Sequence, residues 1–299
     1  MGIKYYVAAL FSFVVWGAFS LVLKPLSDYP AFDILTYRVG FAAITIGLIS
    51  LVFRSKITYQ NIRIIKSMSE NERWQMLIFL VFSAIMLSLN WYSFIFVMNA
   101  VSVKATSLAY LICPILTTVL ASIFLKERLN SGQWLAVGMS IISCMMLSYG
   151  HFMDMVYSMI IALSYAIYLV LQKANNKLDK FFTLTIHIVL SALFLVPFGV
   201  GESGGPAYSN LFYQLVFLIA TLFTIIPLFL NMYALKGLDS SVVGVLLYIN
   251  PIIAFLLAVF YFKEHINLLQ AIAYGIILVA VILFNISYLY FKNKKPFLK

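Results

Sequence analysis

Ten apolar runs, each near the ~20 residues that carry an α-helix across a bilayer, fill most of this 299-residue chain. They lie at about 5–23, 32–53, 75–97, 104–125, 133–150, 154–172, 181–200, 211–232, 240–262 and 267–291. A water-soluble domain has about 25% charged residues, whereas this chain has 10%, with 64% hydrophobic residues and a mean hydropathy of +1.01. The expectation is an all-α integral membrane protein with ten transmembrane helices. The segment 78–101, which carries Asn90 and Asn99, is the least sharply bounded. The first run follows Lys4 and leads into Lys24 and Pro25 without a small-residue cleavage pattern, so it reads as a retained span.

The formal charge of +10 has a topological cause. With the N-terminus inside, sixteen of the twenty Lys and Arg fall on inner connections, Lys24, Lys104 and Lys263 fall outside, and Arg38 stays within a helix. That asymmetry is the positive-inside rule, and it implies contact with anionic lipid rather than nucleic acid. Both termini are then cytoplasmic. Cys113 and Cys144 both fall inside spans and read as packing residues, not as a disulfide or a metal site. No HExxH, GxSxG or nucleotide-binding loop occurs, and the five aspartates fall at helix ends or in loops. Neither an enzyme nor a cofactor or metal is implied.

The chain writes one phrase twice. In "YLICPILTTVLASIFLKERL" (110–129) and "LYINPIIAFLLAVFYFKEHI" (247–266), Pro114 and Pro251 precede Glu127 and Glu264 by the same spacing. Asn130, Gln133 and Gly138 recur as Asn267, Gln270 and Gly275. Upstream, "SFVVWGAFSLVLK" (12–24) matches "ALSYAIYLVLQK" (162–173), which sets Trp16 over Tyr165 and Lys24 over Lys173. The expected organisation is a first five-helix repeat at 1–150 and a second at 151–299, fused in one membrane domain. Five is odd, so the halves enter the membrane from opposite sides as inverted repeats. An interface between such halves can open to either side in turn. The prolines each remove a helical hydrogen bond, which is tolerated in a membrane where protein or a watery cavity re-satisfies the carbonyl. They read either as plain kinks or as elements of that interface.

These residues are also familiar. "WGAFSLVLKPLSDYPAFDILTYR" (16–38), "NWYSFIFVMNAVSVKATSLAYLICPILTTVLASIFLKERLNSGQWLAV" (90–137) and "TIIPLFLNMYALKGLDSSVVGVLLYINPIIAFLLAVFYFKE" (224–264) resemble the EamA-type drug/metabolite transporters, in particular the RarD-like branch. The resemblance covers nearly the whole chain. It implies ten helices, cytoplasmic termini and transport of a small metabolite or drug-like solute. Departures from the branch are Ser20 in place of proline, Asp33 in place of glutamate and Tyr37 in place of histidine.

Candidate cavity residues are Trp16, Arg38, Asn90, Trp91, Tyr110, Tyr165, His187, Tyr233, Tyr248 and Asn250, since rings give a solute flat contact and amides fix its orientation. Interface belting is the other reading of the Trp and Tyr residues. Arg38 either snorkels outward or turns inward to bind an anion or freed carbonyls. Glu127 and Glu264 end helices where a negative charge opposes the dipole. They serve either as caps of the next helix or, paired with Lys173 and Lys24, as two alternating gates. The functional expectation is a secondary transporter of a small solute in the cytoplasmic membrane. A membrane scaffold, dry between its halves, is the alternative.

Overall fold

The computed structural model describes residues 2–26, 28–100, 103–148, 152–199, 208–261 and 268–293. Its helices are α1 (Ile3–Gly17), α2 (Phe19–Leu23), α3 (Ala31–Leu48), α4 (Ser55–Ser67), α5 (Glu70–Ala100), α6 (Val103–Phe124) and α7 (Ser131–Ser148). There follow α8 (Phe152–Ala174), α9 (Lys180–Gly199), α10 (Asn210–Ala220), α11 (Ile226–Ala234), α12 (Ser240–Leu246), α13 (Ile249–Phe260) and α14 (Leu268–Asn293). No strand occurs among the described residues. A π-helical turn at Ile49–Phe53 extends α3, and another at Thr221–Ile225 joins α10 to α11. Eight helical stretches are long and apolar enough to cross a membrane, and two shorter apolar ones, Leu108–Phe124 and Ser240–Ile253, accompany them. The protein is an all-α membrane protein.

Polarity is distributed accordingly. Large apolar side chains such as Phe11, Leu48, Ile78 and Ile286 are more than half exposed, while Ser12, Thr117, His187, Ser191 and Thr224 are wholly buried. An outer face of this kind suits lipid, and the polar groups inside find partners across helices. Ser88 donates to Ser191 (2.9 Å) and Ser143 to the Ala273 carbonyl (2.8 Å).

The repeated Asn and Gln now have a physical role. Asn130 Oδ1 accepts from the Gln133 amide (2.9 Å) and Gln133 Oε1 from the Asn130 amide (3.0 Å), a reciprocal cap that starts α7. Asn130 Nδ2 also donates to the Ser287 carbonyl of α14 (2.9 Å). Their sequence counterpart Asn267 lies outside the described residues.

The connection expected at 54–73 contains a helix of its own, α4, and α5 begins at Glu70. Composition hides α4 because its apolar residues are too few for a span. It is held by Asn61, whose Oδ1 accepts the Asp179 amide (2.8 Å), and by Arg54, 3.7 Å from the Asp179 carboxylate.

The main contacts join the first 150 residues to the rest. α1 packs on α11 and α13, α3 on α9 and α10, α5 on α8 and α9, α6 on α8 and α12, and α7 on α14. Gly17, at the end of α1, is needed for the approach to α13, since a Cβ there would lie 2.6 Å from Ile253 Cβ. Gly40, mid-way along α3, has open space around it. Gly17→Ala should therefore destabilise the detergent-solubilised protein by about 1–3 kcal/mol, the usual cost of overpacking. Gly40→Ala should stabilise it by up to about 1 kcal/mol through helix propensity. Thermal unfolding of the two variants side by side checks the sign of each.

Candidate functional site

A cavity of about 320 Å³ lies between the two halves of the chain. That is at the lower end of small-molecule sites, which run to about 300–1,000 Å³. Seven of the ten residues expected to line a cavity do so: Trp16, Arg38, Asn90, Trp91, Tyr110, Tyr165 and Asn250. Pro251 lines it as well. The other contributors include Phe19, Ser20, Phe94, Phe223 and Tyr274.

The site is built around interrupted helices. α1 stops at Gly17 and restarts as α2, and α12 gives way to α13 at Leu247 and Tyr248. The third interruption is the π turn between α10 and α11. Pro227 follows it and has no amide to offer the Phe223 carbonyl four residues back. That carbonyl accepts instead from Trp16 Nε1 (2.9 Å). The carbonyl of Pro227 itself accepts from Ser12 (2.9 Å), so α1 satisfies two carbonyls of this span. Next to Phe223, Thr224 Oγ1 donates to the Ile219 carbonyl (3.0 Å) and accepts from Arg38 Nε (2.8 Å).

Arg38 is thus turned inward. Its guanidinium carbon lies 5.3 Å from the Trp91 ring centre and 5.7 Å from that of Phe19, within reach of cation–π attraction. No ion pair joins it to a carboxylate among the described residues. Asn90 Nδ2 donates to the Ile161 carbonyl (2.9 Å), which leaves its oxygen for the cavity. Trp16 and Tyr165, aligned in the sequence repeat, meet edge to face at 6.0 Å.

Three expected lining residues lie elsewhere. His187 is buried against Tyr168, with Nδ1 3.4 Å from the phenol oxygen. Tyr233 packs on Tyr5 and Phe229. Tyr248 is buried in a crevice beside Pro114, Ser140 and Phe284. Pro114 and Pro251 are both buried. Of the departures from the branch pattern, Ser20 lines the cavity. Asp33 accepts a hydrogen bond from the Tyr208 hydroxyl, and Tyr37 packs edge-on against Tyr208 and Phe212. The bond to Asp33, with partial desolvation, pushes the Tyr208 phenol up to about 12, so it stays a donor at neutral pH. Thr224, Asn231 and Tyr274 were not among the expected residues. The signal for Thr224 was the "TIIP" step, a hydroxyl just ahead of a helix-interrupting proline.

The EamA-like transporter family model matches this chain twice, over residues 3–149 and again over 153–286. The chain belongs to the EamA-like transporter family. It is 28% identical over 296 residues to a Bacillus subtilis protein named Uncharacterized transporter YojE, covering 94% of this chain and 93% of that one. It is 26% identical to Protein RarD of Escherichia coli, covering 96% and 95%, and 30% identical to Protein RarD of Streptomyces exfoliatus, covering 84% and 78%. A crystal structure at 12% identity superposes with a TM-score of 0.73 over 96% of this chain and 98% of that one, which shows a shared fold.

Two charged side chains of this EamA-like chain bind the turn between α11 and α12. Lys173 Nζ donates to the carbonyls of Leu235 (2.9 Å) and Leu238 (2.6 Å), just beyond the end of α11. Glu127 accepts from the amides of Ser240 (2.6 Å) and Ser241 (3.0 Å) and from the Ser241 hydroxyl (2.6 Å), at the start of α12. Each charge sits at the helix end that its sign favours. Glu127 does cap a helix, but a distant one rather than the next in sequence. It reaches there because Lys126 adopts a left-handed conformation (φ 56°) that reverses the chain after α6. Lys236 lies 3.9 Å from Asp179, which also caps α9 through the amides of Phe181 and Phe182. Lys24 lies exposed in the turn after α2, and Glu264 lies outside the described residues.

The Trp16 contact can be isolated by a mutant cycle. Trp16→Phe leaves the Phe223 carbonyl without its donor and should cost about 1–3 kcal/mol. In the Trp16→Phe, Pro227→Ala double variant, the restored amide at 227 can bond within the helix, and the loss should shrink. Denaturation of the three variants in the same detergent gives the coupling. Additive losses would show that Pro227 and Trp16 do not share that carbonyl.

Proposed function

We propose that this protein is a secondary transporter that moves a small solute across the cytoplasmic membrane by alternating access, in the export direction. The observation that carries the reading is the one-sided cavity. Its residues come from the last third of α1 through α2, from the first half of α3 and α6, and from beyond the middle of α5. With the amino terminus cytoplasmic, these lie in the outer half of the membrane or at its middle, as do Asn250, Pro251 and Tyr274 from the second half, while Leu228, late in the span Asn210–Ala234, reaches below it. The inner half is packed and clamped at the turn between α11 and α12, so the conformation is open outward and closed inward.

Several features support two inverted five-helix repeats with a ten-helix count. The family model matches twice in succession. Eight long and two short apolar helices account for ten spans. The repeat-related Trp16 and Tyr165 meet across the cavity, and the repeat-related α7 and α14 pack directly. A dry scaffold has no use for a cavity of about 320 Å³ between its halves with Arg38, Asn90 and Asn250 in its wall. In the inward-open state, release of the turn between α11 and α12 would expose Tyr168, His187 and Asn231, which are buried beneath the cavity. His187 Nε2 and Asn231 Oδ1 have no hydrogen-bond partner.

Topology is checked with reporter fusions. Fusions after Phe53 and at Lys299 should read cytoplasmic, and one near Gly204 external. An external carboxyl terminus would sink the inverted repeat. Transport is checked by uptake and efflux of a solute panel in proteoliposomes of the full chain, where at least one solute should move saturably. Glu127→Gln should impair that movement and raise inner-side accessibility of a cysteine placed beside Leu235. Glu264→Gln should give the opposite bias. If accessibility is unchanged in both, the glutamates are caps and not gates.

A further inference from the structure

The cavity holds one charge. Among the described residues that line it, Arg38 alone is charged, and no carboxylate is among them. A guanidinium cannot shed its proton as lysine can, so within the membrane this cation needs an opposing charge or a shell of oxygen acceptors. Among the described residues a single hydrogen-bonding acceptor meets it, Thr224 Oγ1, and that bond uses Nε alone. Thr224 is itself fixed to the Ile219 carbonyl within the π turn. The Trp91 and Phe19 rings flank the guanidinium at 5.3 and 5.7 Å. The fork is therefore held at its inner edge and beside two rings, while its terminal Nη atoms make no hydrogen bond among the described residues.

The rest of the lining limits what can sit on that fork. Trp16, Tyr110, Tyr165, Phe223 and Tyr274 surround the space with rings. Asn90 and Asn250 add side-chain amides to the lining. A volume of about 320 Å³, at the small end of solute sites, admits a solute built on one substituted ring.

We propose that the transported solute is a small organic monoanion, a carboxylate on a flat apolar body, and that the Nη edge of Arg38 binds its carboxylate bidentately. This rests on the transporter reading above and deepens it. The planar fork matches the two carboxylate oxygens, and the positive charge is neutralised only when the site is filled. Arg38 is then a specificity residue, and Thr224 is a positioning residue that acts through it.

Binding tests this without requiring transport. Trp16 and Trp91 both line the site, so a nitroaromatic ligand should quench their emission saturably. In the purified full chain, 4-nitrobenzoate should bind at least about tenfold more tightly than the neutral isostere 4-nitrobenzamide, the discrimination expected of a charge-assisted pair. Arg38→Gln should remove the preference by weakening the benzoate alone. Arg38→Lys should lose about tenfold toward benzoate, since a point charge replaces the fork. Thr224→Val keeps Arg38 and should weaken benzoate while leaving benzamide unchanged. That variant keeps the idea testable where Arg38 variants fail to reach the membrane. Equal affinities in the unaltered protein, no saturable quenching, or a preference that survives Arg38→Gln would each overturn the proposal. The transporter reading fails separately, when benzoate binds with the expected selectivity yet no solute crosses the proteoliposome.

Discussion

A backbone carbonyl released from its helix inside a bilayer has no water to turn to, and this constraint organises the protein. Each unsatisfied group would cost several kcal/mol in hydrocarbon. A helix can therefore be interrupted there only where another part of the chain supplies a donor. The interruptions after Gly17 and at Thr221–Ile225 lie on one cavity, and the Phe223 carbonyl beside Pro227 is met by the Trp16 indole. Irregular backbone and solute site coincide because each needs the same thing, a polar interior sealed from lipid.

Once the π turn exists, its consequences reach the charge in the cavity. Thr224 lies in the turn's last residues and presents its hydroxyl to Arg38. The Arg38 side chain crosses from α3 to the second half of the chain, so that half positions a cation that the first half supplies. The same division of labour recurs at the closed side. There Glu127 of the first half caps α12 of the second, while Lys173 holds the carbonyls beyond α11. Exposed ion pairs such as Lys177 with Glu72 (3.1 Å) contribute little. The Glu127 bonds are of another kind, because two backbone amides and a hydroxyl meet one carboxylate.

The spans were legible because hydrocarbon thickness sets both their length and their composition. The repeat was legible because Pro, Glu, Asn and Gln are rare enough in this chain to mark a register. Seven of the ten cavity residues could be named because a large polar or aromatic side chain in a span must find a partner. The same rule could not separate the cavity from the buried packing beneath it. Tyr248 packs beside Ser140, His187 against Tyr168 and Tyr233 against Tyr5, and nothing in the sequence sets them apart from the cavity residues. The π turn was hidden, since nothing in "TLFTI" distinguishes i to i−5 bonding from an ordinary helical turn. α4 was hidden because its thirteen residues carry three basic groups and expose most of both faces.

The unpaired polar atoms explain why such a structure need not be a single deep minimum. His187 Nε2, Asn231 Oδ1 and both polar atoms of Gln172 are buried without partners on the closed side. Each is worth on the order of 1–3 kcal/mol if water could reach it. Opposing that gain are the bonds of Glu127 and Lys173 to the turn between α11 and α12, which hold water out. On the proposed mechanism, a clamp of charge-assisted bonds set against this buried deficit would let a second arrangement lie close in energy. A modest differential affinity of a solute for one of them then suffices to shift the balance. On the anion proposal the fork of Arg38 would supply such an affinity, since no carboxylate pairs with it among the described residues. On the proposed mechanism both the cation without a counter-charge and the unpaired polar groups burden the empty, inward-closed conformation, so that filling the cavity relieves the first and opening the turn relieves the second.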